Sequence, residues 1–209
     1  TALFPISQLE DLNSRTDIIN YVRPAFPAIS NTGLFETGGD IAQGSFLVRG
    51  GYDVHGDGIK VGVLSDSYGT NGAGLSADIG NGDLPSSVTV VGEYPFGQAT
   101  DEGRAMLQIV HDVAPKAQLF FRTGFISEGN FAVGITELDE DYHCDVIIDD
   151  ITYITEPFLK DGLAAQAIDT AEAHGVTYVT SAGNFGSRSY EGILGSGLDK
   201  HQFASGDEL

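Results

Sequence analysis

Cysteine and basic side chains are scarce in this chain. Its 209 residues include one cysteine, Cys144, and 10 lysine and arginine residues against 30 aspartate and glutamate residues, which gives a formal net charge of -20. A single cysteine excludes a disulfide within the chain and any cysteine-based metal cluster. Cys144 adjoins the apolar run that begins at Val146, so we interpret it as a small core residue and not as a nucleophile.

The shortage of positive charge and of long apolar runs limits the partners of the chain. A strongly acidic protein is repelled by nucleic acid and by anionic membrane surfaces, so we expect neither as a partner. No apolar run reaches the roughly 20 residues of a membrane span, and no signal peptide is recognisable at the start. The acidity suits a solvated surface. Calcium is the one cofactor that acidic loops such as 78–83 leave open, but their spacing is not that of an EF-hand and we predict no metal ligands.

Apolar strands and patterned helices alternate from residue 58 onward. Strands are predicted over 59–64, 88–91, 117–121, 145–153 and 176–181, and helices over 101–112, 131–138 and 161–175. This alternation predicts an α/β fold with a doubly wound, mainly parallel sheet. A chain of this length is expected to have a single core.

Composition divides the chain into three parts. Residues 1–30 are interpreted as a small amino-terminal unit with a helix fragment and an edge strand that ends at Pro24. Residues 31–57 are rich in glycine, threonine, asparagine and aspartate, which is typical of a surface loop or a linker. Residues 58–209 carry the α/β domain. No element is predicted after residue 187, so we expect the domain to be incomplete at its carboxyl end.

Three polar side chains are predicted at one edge of the sheet. Asp66 ends the first strand, Glu102 opens a helix that Thr100 or Asp101 can cap, and Asn184 follows the strand 176–181. Sites in open parallel sheets form at the carboxyl ends of the strands. Each residue also has a structural interpretation. Glu102 suits the helix dipole, Asp66 can form a turn, and asparagine tolerates unusual backbone angles in a turn.

The motifs around these residues, taken in series, resemble subtilisin-like serine peptidases, the subtilase superfamily. Val61-Gly-Val-Leu-Ser-Asp-Ser is similar to the strand that bears the catalytic aspartate. Asp101-Glu-Gly-Arg-Ala-Met, continuing to a Val-Ala-Pro-Lys-Ala turn, is similar to the helix that begins with the catalytic histidine. Val179-Thr-Ser-Ala-Gly-Asn-Phe-Gly is similar to the strand that ends in the oxyanion-hole asparagine.

This resemblance implies a subtilisin-like three-layer fold and the chemistry of a secreted or cell-envelope serine endopeptidase. It implies peptide or protein substrates and catalytic roles for Asp66, Glu102 and Asn184. Residues 1–30 would then be the remnant of a propeptide.

The chain also departs from the subtilase pattern. Glu102 stands where subtilisins have histidine and in this resembles the related sedolisins, whose base is a glutamate. Sedolisins carry an aspartate one helical turn later, where this chain has Met106, and an oxyanion aspartate where it has Asn184. The Gly-Thr-Ser stretch that carries the nucleophile is absent. The resemblance therefore implies a serine supplied from outside this chain, such as the remaining part of the same domain, and inactivity of the 209 residues alone.

The acidic residues carry two further expectations. Two close carboxyls cannot both ionise cheaply, so Asp66 and Glu102 are expected to share a proton and to shift the optimum of the complete enzyme to acid pH. Adjacent strand residues face opposite ways, so either Asp149 or Asp150 is expected inside the protein or in the cleft. It would be a hydrogen-bonded structural carboxylate or one coupled to Glu102.

The strand at 145–153 leads, in subtilases, to the edge that binds the substrate backbone. By that resemblance, Ile151, Thr152 and Tyr153 are the substrate-binding residues. Bulky Tyr153 and the missing nucleophile also favour an alternative, a catalytically inactive subtilase-fold module that binds peptides or proteins. An unrelated domain for a phosphorylated ligand is weakened because no strand-to-helix junction shows a phosphate-binding glycine pattern.

Overall fold

The computed structural model describes residues 38–72, 74–157 and 159–186, together with Pro5, Gln8, Arg15 and the short strands at 29–30, 202–204 and 207–208. The helix fragment and edge strand predicted within residues 1–30 lie outside the described residues. Among the helices of the described part, none is both long enough and apolar enough to cross a membrane.

Five parallel strands form the main sheet. The strands of the described chain are β1 (Ile29–Ser30), β2 (Lys60–Ser65), β3 (Thr89–Gly92), β4 (Gln118–Thr123), β5 (Val146–Asp149), β6 (Ile151–Thr152), β7 (Thr177–Thr180), β8 (Gln202–Ala204) and β9 (Asp207–Glu208). The order across the main sheet is β3-β4-β2-β5-β7, and β1-β6 and β8-β9 are separate antiparallel pairs. The central strand β2 pairs in parallel with both β4 and β5. All five carboxyl ends therefore lie at one edge.

Helices connect these strands. They are α1 (Gly39–Gln43), α2 (Ser45–Tyr52), α3 (Leu75–Asn81), α4 (Glu102–Val113), α5 (Glu128–Thr136) and α6 (Leu163–Ala173), and a single π-helical turn, Glu137–Asp141, extends α5. The predicted helix at 101–112 is confirmed to within one residue at each end. It ends at Val113, two residues before Pro115, since proline cannot continue a helix.

Both faces of the sheet are covered, as strand β4 illustrates. Leu119 and Phe121 point to one face and pack with Leu107 of α4, whereas Phe120 points to the other face and packs with Ile135 of α5. Each of these side chains is at most 7% exposed, and burying one stabilises the fold by about 1.5–3 kcal/mol. The sheet thus lies between two helical layers, which confirms the predicted three-layer parallel α/β fold.

Several segments differ from the prediction. Helix α3 lies where no helix was predicted, and the β8–β9 pair lies after residue 187, where no element was predicted. Two further differences have a visible physical cause. The supposed linker 31–57 contains α1 and α2, and Arg49 of α2 ties them to the domain. Its guanidinium donates to Asp40 at 2.8 Å and to the carbonyl of Val113, at the end of α4, at 3.0 Å. Arg49 and Ser45 together lower the pKa of Asp40 to about 2. These two helices could not be predicted from their glycine-rich composition. Their stability comes from contacts with α4 and not from local helix propensity.

The predicted strand at 145–153 is also divided. Strand β5 ends at Asp149, whose carboxyl accepts the backbone N–H of Ile151 at 2.9 Å. An aspartate that bonds the backbone two residues ahead turns the chain. Strand β6 therefore leaves the main sheet and pairs with β1, with Ile29 opposite Thr152.

Candidate functional site

Asp66 is the best-held side chain at the carboxyl edge of the sheet. It follows the central strand β2 directly and is 2% exposed. One carboxyl oxygen accepts the backbone N–H of Glu102 at 2.9 Å, and the other accepts the backbone N–H of Thr100 at 2.7 Å and its hydroxyl at 2.5 Å. The N–H of Glu102 is one of those that the first turn of a helix leaves unpaired. Asp66 therefore caps α4 from a neighbouring strand.

Asp101 precedes α4 but does not cap it with its side chain. It has a left-handed backbone (φ 59°) and a buried carboxyl, which accepts hydrogen bonds from the Ser67 hydroxyl, the Thr70 N–H and the Asn71 N–H at 2.8–3.0 Å. Burial alone would raise the pKa of Asp101, but these hydrogen bonds outweigh it and lower the pKa below its ordinary value. Asp101 fastens the loop after β2 to the start of the helix, a function that sequence reasoning missed.

A close-fitting glycine sets the position of Glu102. A Cβ on the next residue, Gly103, would lie 2.3 Å from the Phe121 ring and 2.8 Å from the carbonyl oxygen of Ser67. Only glycine allows the first turn of α4 to approach the end of β2 this closely. The half-buried side chain of Glu102 is thereby held above the carboxyl ends of β2 and β5.

The side chain of Glu102 meets Asp150. Burial is the main cause that raises the pKa of the Asp150 carboxyl, and the charge of Asp66 raises it further. The polar side chains of Ser65 and Glu102, which lie close to the Asp150 carboxyl, oppose this rise. Asp150 is 6% exposed and Ser65 is fully buried. The three carboxyls of Asp66, Glu102 and Asp150 therefore form one cluster, in which Asp66 binds the backbone of Glu102 and Asp150 faces its side chain.

Asp149 points away from this cluster, as the alternation of strand residues requires, yet it is also buried. Its carboxyl accepts the N–H of Ile151 and, at 3.0 Å, the hydroxyl of Thr180. Burial raises the pKa of Asp149 to about 6, although the Ile151 N–H and the Thr180 hydroxyl donate to its carboxyl. The sequence expectation that one of the two aspartates is interior thus holds for both, and only Asp150 is coupled to Glu102.

The three residues predicted to bind substrate, Ile151, Thr152 and Tyr153, already contact other parts of the chain. Ile151 and Thr152 pair with β1, so the chain itself supplies an extended partner to this edge. The Tyr153 side chain is 7% exposed, stacks near Phe131 and donates its hydroxyl to the carbonyl of Gly124 at 2.6 Å. Tyr153 is therefore part of the core.

Asn184 lies beyond the carboxyl end of β7, on the segment 181–186, and its side chain is exposed. The first residue of this segment, Ser181, donates its N–H to the carbonyl of Asp149 at 3.1 Å, so the segment starts beside the carboxyl cluster. Asn184 thus lies at the predicted edge of the sheet, the edge formed by the carboxyl ends of the strands.

The acidic segment 78–83 and Cys144, both considered in the sequence analysis, have structural roles. In the acidic segment 78–83, Asp78 lies in α3 and forms an ion pair with Arg104 at 3.1 Å. Cys144 is buried in the core, and burial raises the pKa of its thiol to about 12. A thiol that stays protonated is a poor nucleophile.

Comparison with known proteins adds no relative, since no family model matches the chain and no curated protein matches it. The chemistry of the site therefore follows from its own geometry. A carboxylate that is half exposed, backed by a buried carboxyl whose pKa is raised, can accept a proton from a neighbouring hydroxyl and return it.

Proposed function

We propose that the chain is the amino-terminal part of a subtilase-like serine endopeptidase domain, with Glu102 as general base. The observation that carries the proposal is the contact of Glu102 with the buried Asp150 carboxyl at the carboxyl edge of a parallel sheet. Open parallel sheets form their sites at this edge. Paired acids with shifted pKa values are also a common feature of catalytic sites.

In the proposed reaction a serine from outside this chain attacks the peptide carbonyl carbon. Its hydroxyl proton passes to Glu102, which later delivers it to the leaving amine. Asp150 positions the Glu102 carboxyl, and Asp66 positions the first turn of α4 through the Glu102 N–H. The side-chain amide of Asn184 donates to the oxyanion, a contribution of about 3–4 kcal/mol to the barrier where such a donor has been removed.

The test uses the full-length gene product and a denatured protein as substrate. We expect hydrolysis that a serine-directed phosphonate blocks, with a maximum at acid pH. Glu102→Gln should lower kcat at least about 100-fold, because general base catalysis contributes that much. Asp150→Asn should lower kcat, leave KM nearly unchanged and move the pH profile, since it changes the partner of the base.

Asp112→Asn is the matched control, because Asp112 is an exposed acid in the last turn of the same helix. It should leave the rate and its pH profile unchanged. A rate that rises only near pH 7, or full activity in Glu102→Gln, would refute the proposed base. Serine-type hydrolysis by the 209 residues alone would refute the external nucleophile.

A strand-binding module without catalysis is the second candidate, and the β1–β6 pair favours it. An edge that accepts one extended segment can accept a peptide in the same way, because the hydrogen bonds come from the main chain. Peptide binding by the full-length protein that survives Glu102→Gln, without any hydrolysis by the unmutated protein, would support this candidate over the enzyme.

A further inference from the structure

An open cavity of about 420 Å³ lies at the opposite edge of the sheet from the carboxyl cluster. It is bounded by the residues that precede β5 and β7, so it sits at the amino ends of these strands. Its polar lining consists of Asp139, Glu140, His143, Asp145 and His174. Nothing in the proposed peptidase chemistry involves this cavity, so a site here does not depend on that chemistry.

The π-helical turn Glu137–Asp141 directs two consecutive acids into the cavity. The N–H of Tyr142 donates to the carbonyl of Glu137, five residues earlier, at 3.1 Å. This widened turn leaves Asp139 buried and its neighbour Glu140 exposed, with both lining the cavity. π-Helical turns are rare and are frequently found at functional sites.

His174 completes the group from a different part of the chain. It follows α6, and its Nδ1 lies 2.7 Å from a carboxyl oxygen of Asp139. One oxygen of Asp139, one oxygen of Glu140 and one ring nitrogen of His174 all lie within 4.8 Å of one another. Donor atoms around a tetrahedral zinc ion, bonded at about 2.0–2.2 Å, are about 3.4 Å apart. Small side-chain movements therefore suffice to bring the three atoms onto one ion.

We propose that Asp139, Glu140 and His174 bind one divalent cation of the zinc class. Two carboxyls face one imidazole here, and a dication neutralises both. The nitrogen donor selects borderline metals such as zinc over calcium and magnesium, which prefer oxygen ligands alone. The other acid of the cavity, Asp145, is engaged elsewhere, because it accepts the backbone N–H of Lys60 at 2.8 Å.

The bound ion would link two connections of the fold. Asp139 and Glu140 belong to the π-helical turn before β5, whereas His174 begins the turn into β7. A ligand that binds only the folded state stabilises it. Zinc is therefore expected to raise the midpoint of thermal unfolding as well as to bind.

Isothermal titration of the chelator-stripped chain with Zn²⁺, in excess Mg²⁺, tests the proposal. Magnesium occupies non-specific acidic sites on a chain of net charge -20. We expect one equivalent of zinc to bind, and Glu140→Gln and His174→Gln each to weaken it at least about tenfold. Both side chains are largely exposed, so these variants should fold, which circular dichroism verifies.

Two controls separate a built site from general acidity. Asp141→Asn removes the next acid of the same turn, and His111→Gln removes a histidine at the end of α4. Zinc binding should be unchanged in both. Co²⁺ in place of Zn²⁺ should give visible absorption that His174→Gln alters. Absence of saturable zinc binding, or equal affinity in Glu140→Gln and the unmutated chain, would refute the site and reduce the contact to an Asp139–His174 ion pair.

Discussion

Replacing Asp149 by asparagine is expected to stabilise the protein at neutral pH. Burial raises the pKa of the Asp149 carboxyl from 3.8 to about 6. The folded state therefore keeps a proton on Asp149 between about pH 4 and 6 that the unfolded chain releases. In this window the native state binds more protons, so the free energy of unfolding falls as the pH rises. Above about pH 6 the folded protein carries the full cost of a buried charge.

The magnitude follows from the shift. About two pKa units at 1.36 kcal/mol each correspond to about 3 kcal/mol at pH 7. Asparagine has no such charge, and its oxygen can still accept from Ile151 and Thr180 as the carboxyl does. Its other terminal group is an amide that donates where the second carboxyl oxygen of Asp149 stood, and burying those donors without good acceptors costs about 1 kcal/mol. The variant should be more stable by about 2 kcal/mol at pH 7 and less stable by about 1 kcal/mol at pH 4.

Urea unfolding at several pH values between 4 and 8, followed by circular dichroism, measures this difference. The comparison of two chains that differ at one residue cancels the titration of the other acids. Asp112→Asn, at an exposed position, controls for the loss of one negative charge. A difference between the Asp149→Asn variant and the original that does not change with pH would refute the reasoning.

Two other substitutions test the packing around the carboxyl cluster. Gly103→Ala should destabilise the fold by about 1–3 kcal/mol in urea unfolding, because its Cβ would collide with Phe121. Gly129→Ala is the control: its Cβ would make only an ordinary contact with Leu163 at 3.9 Å, so this variant should be neutral or slightly stabilising. Tyr153→Phe should cost about 1–3 kcal/mol, since the buried carbonyl of Gly124 loses its donor at 2.6 Å. Thermal unfolding unchanged in Tyr153→Phe would contradict this assignment of the hydroxyl.

The regular helices and strands could be predicted from the sequence because they depend on the local pattern of apolar residues and on helix-ending residues. The helix at 101–112 has apolar residues at helical spacing and a proline after its end, and both signals act within a few residues. Among the elements that were missed, α1 and α2 depend on the distant contact of Arg49 with the end of α4. The break after Asp149 was missed for a related reason, since one carboxyl-to-backbone hydrogen bond ends an otherwise continuous apolar run.

The sequence by itself determined the α/β class and the edge at which Asp66, Glu102 and Asn184 would lie, because parallel strands bring their carboxyl ends together whatever their side chains. Only the tertiary structure decided which acid faces which. Asp66 binds the backbone of Glu102, and Asp150 faces its side chain. Likewise, no spacing in the sequence joins Asp139 to His174. Such pairs form where separate elements pack, and the distance between their side chains is set only by the folded chain.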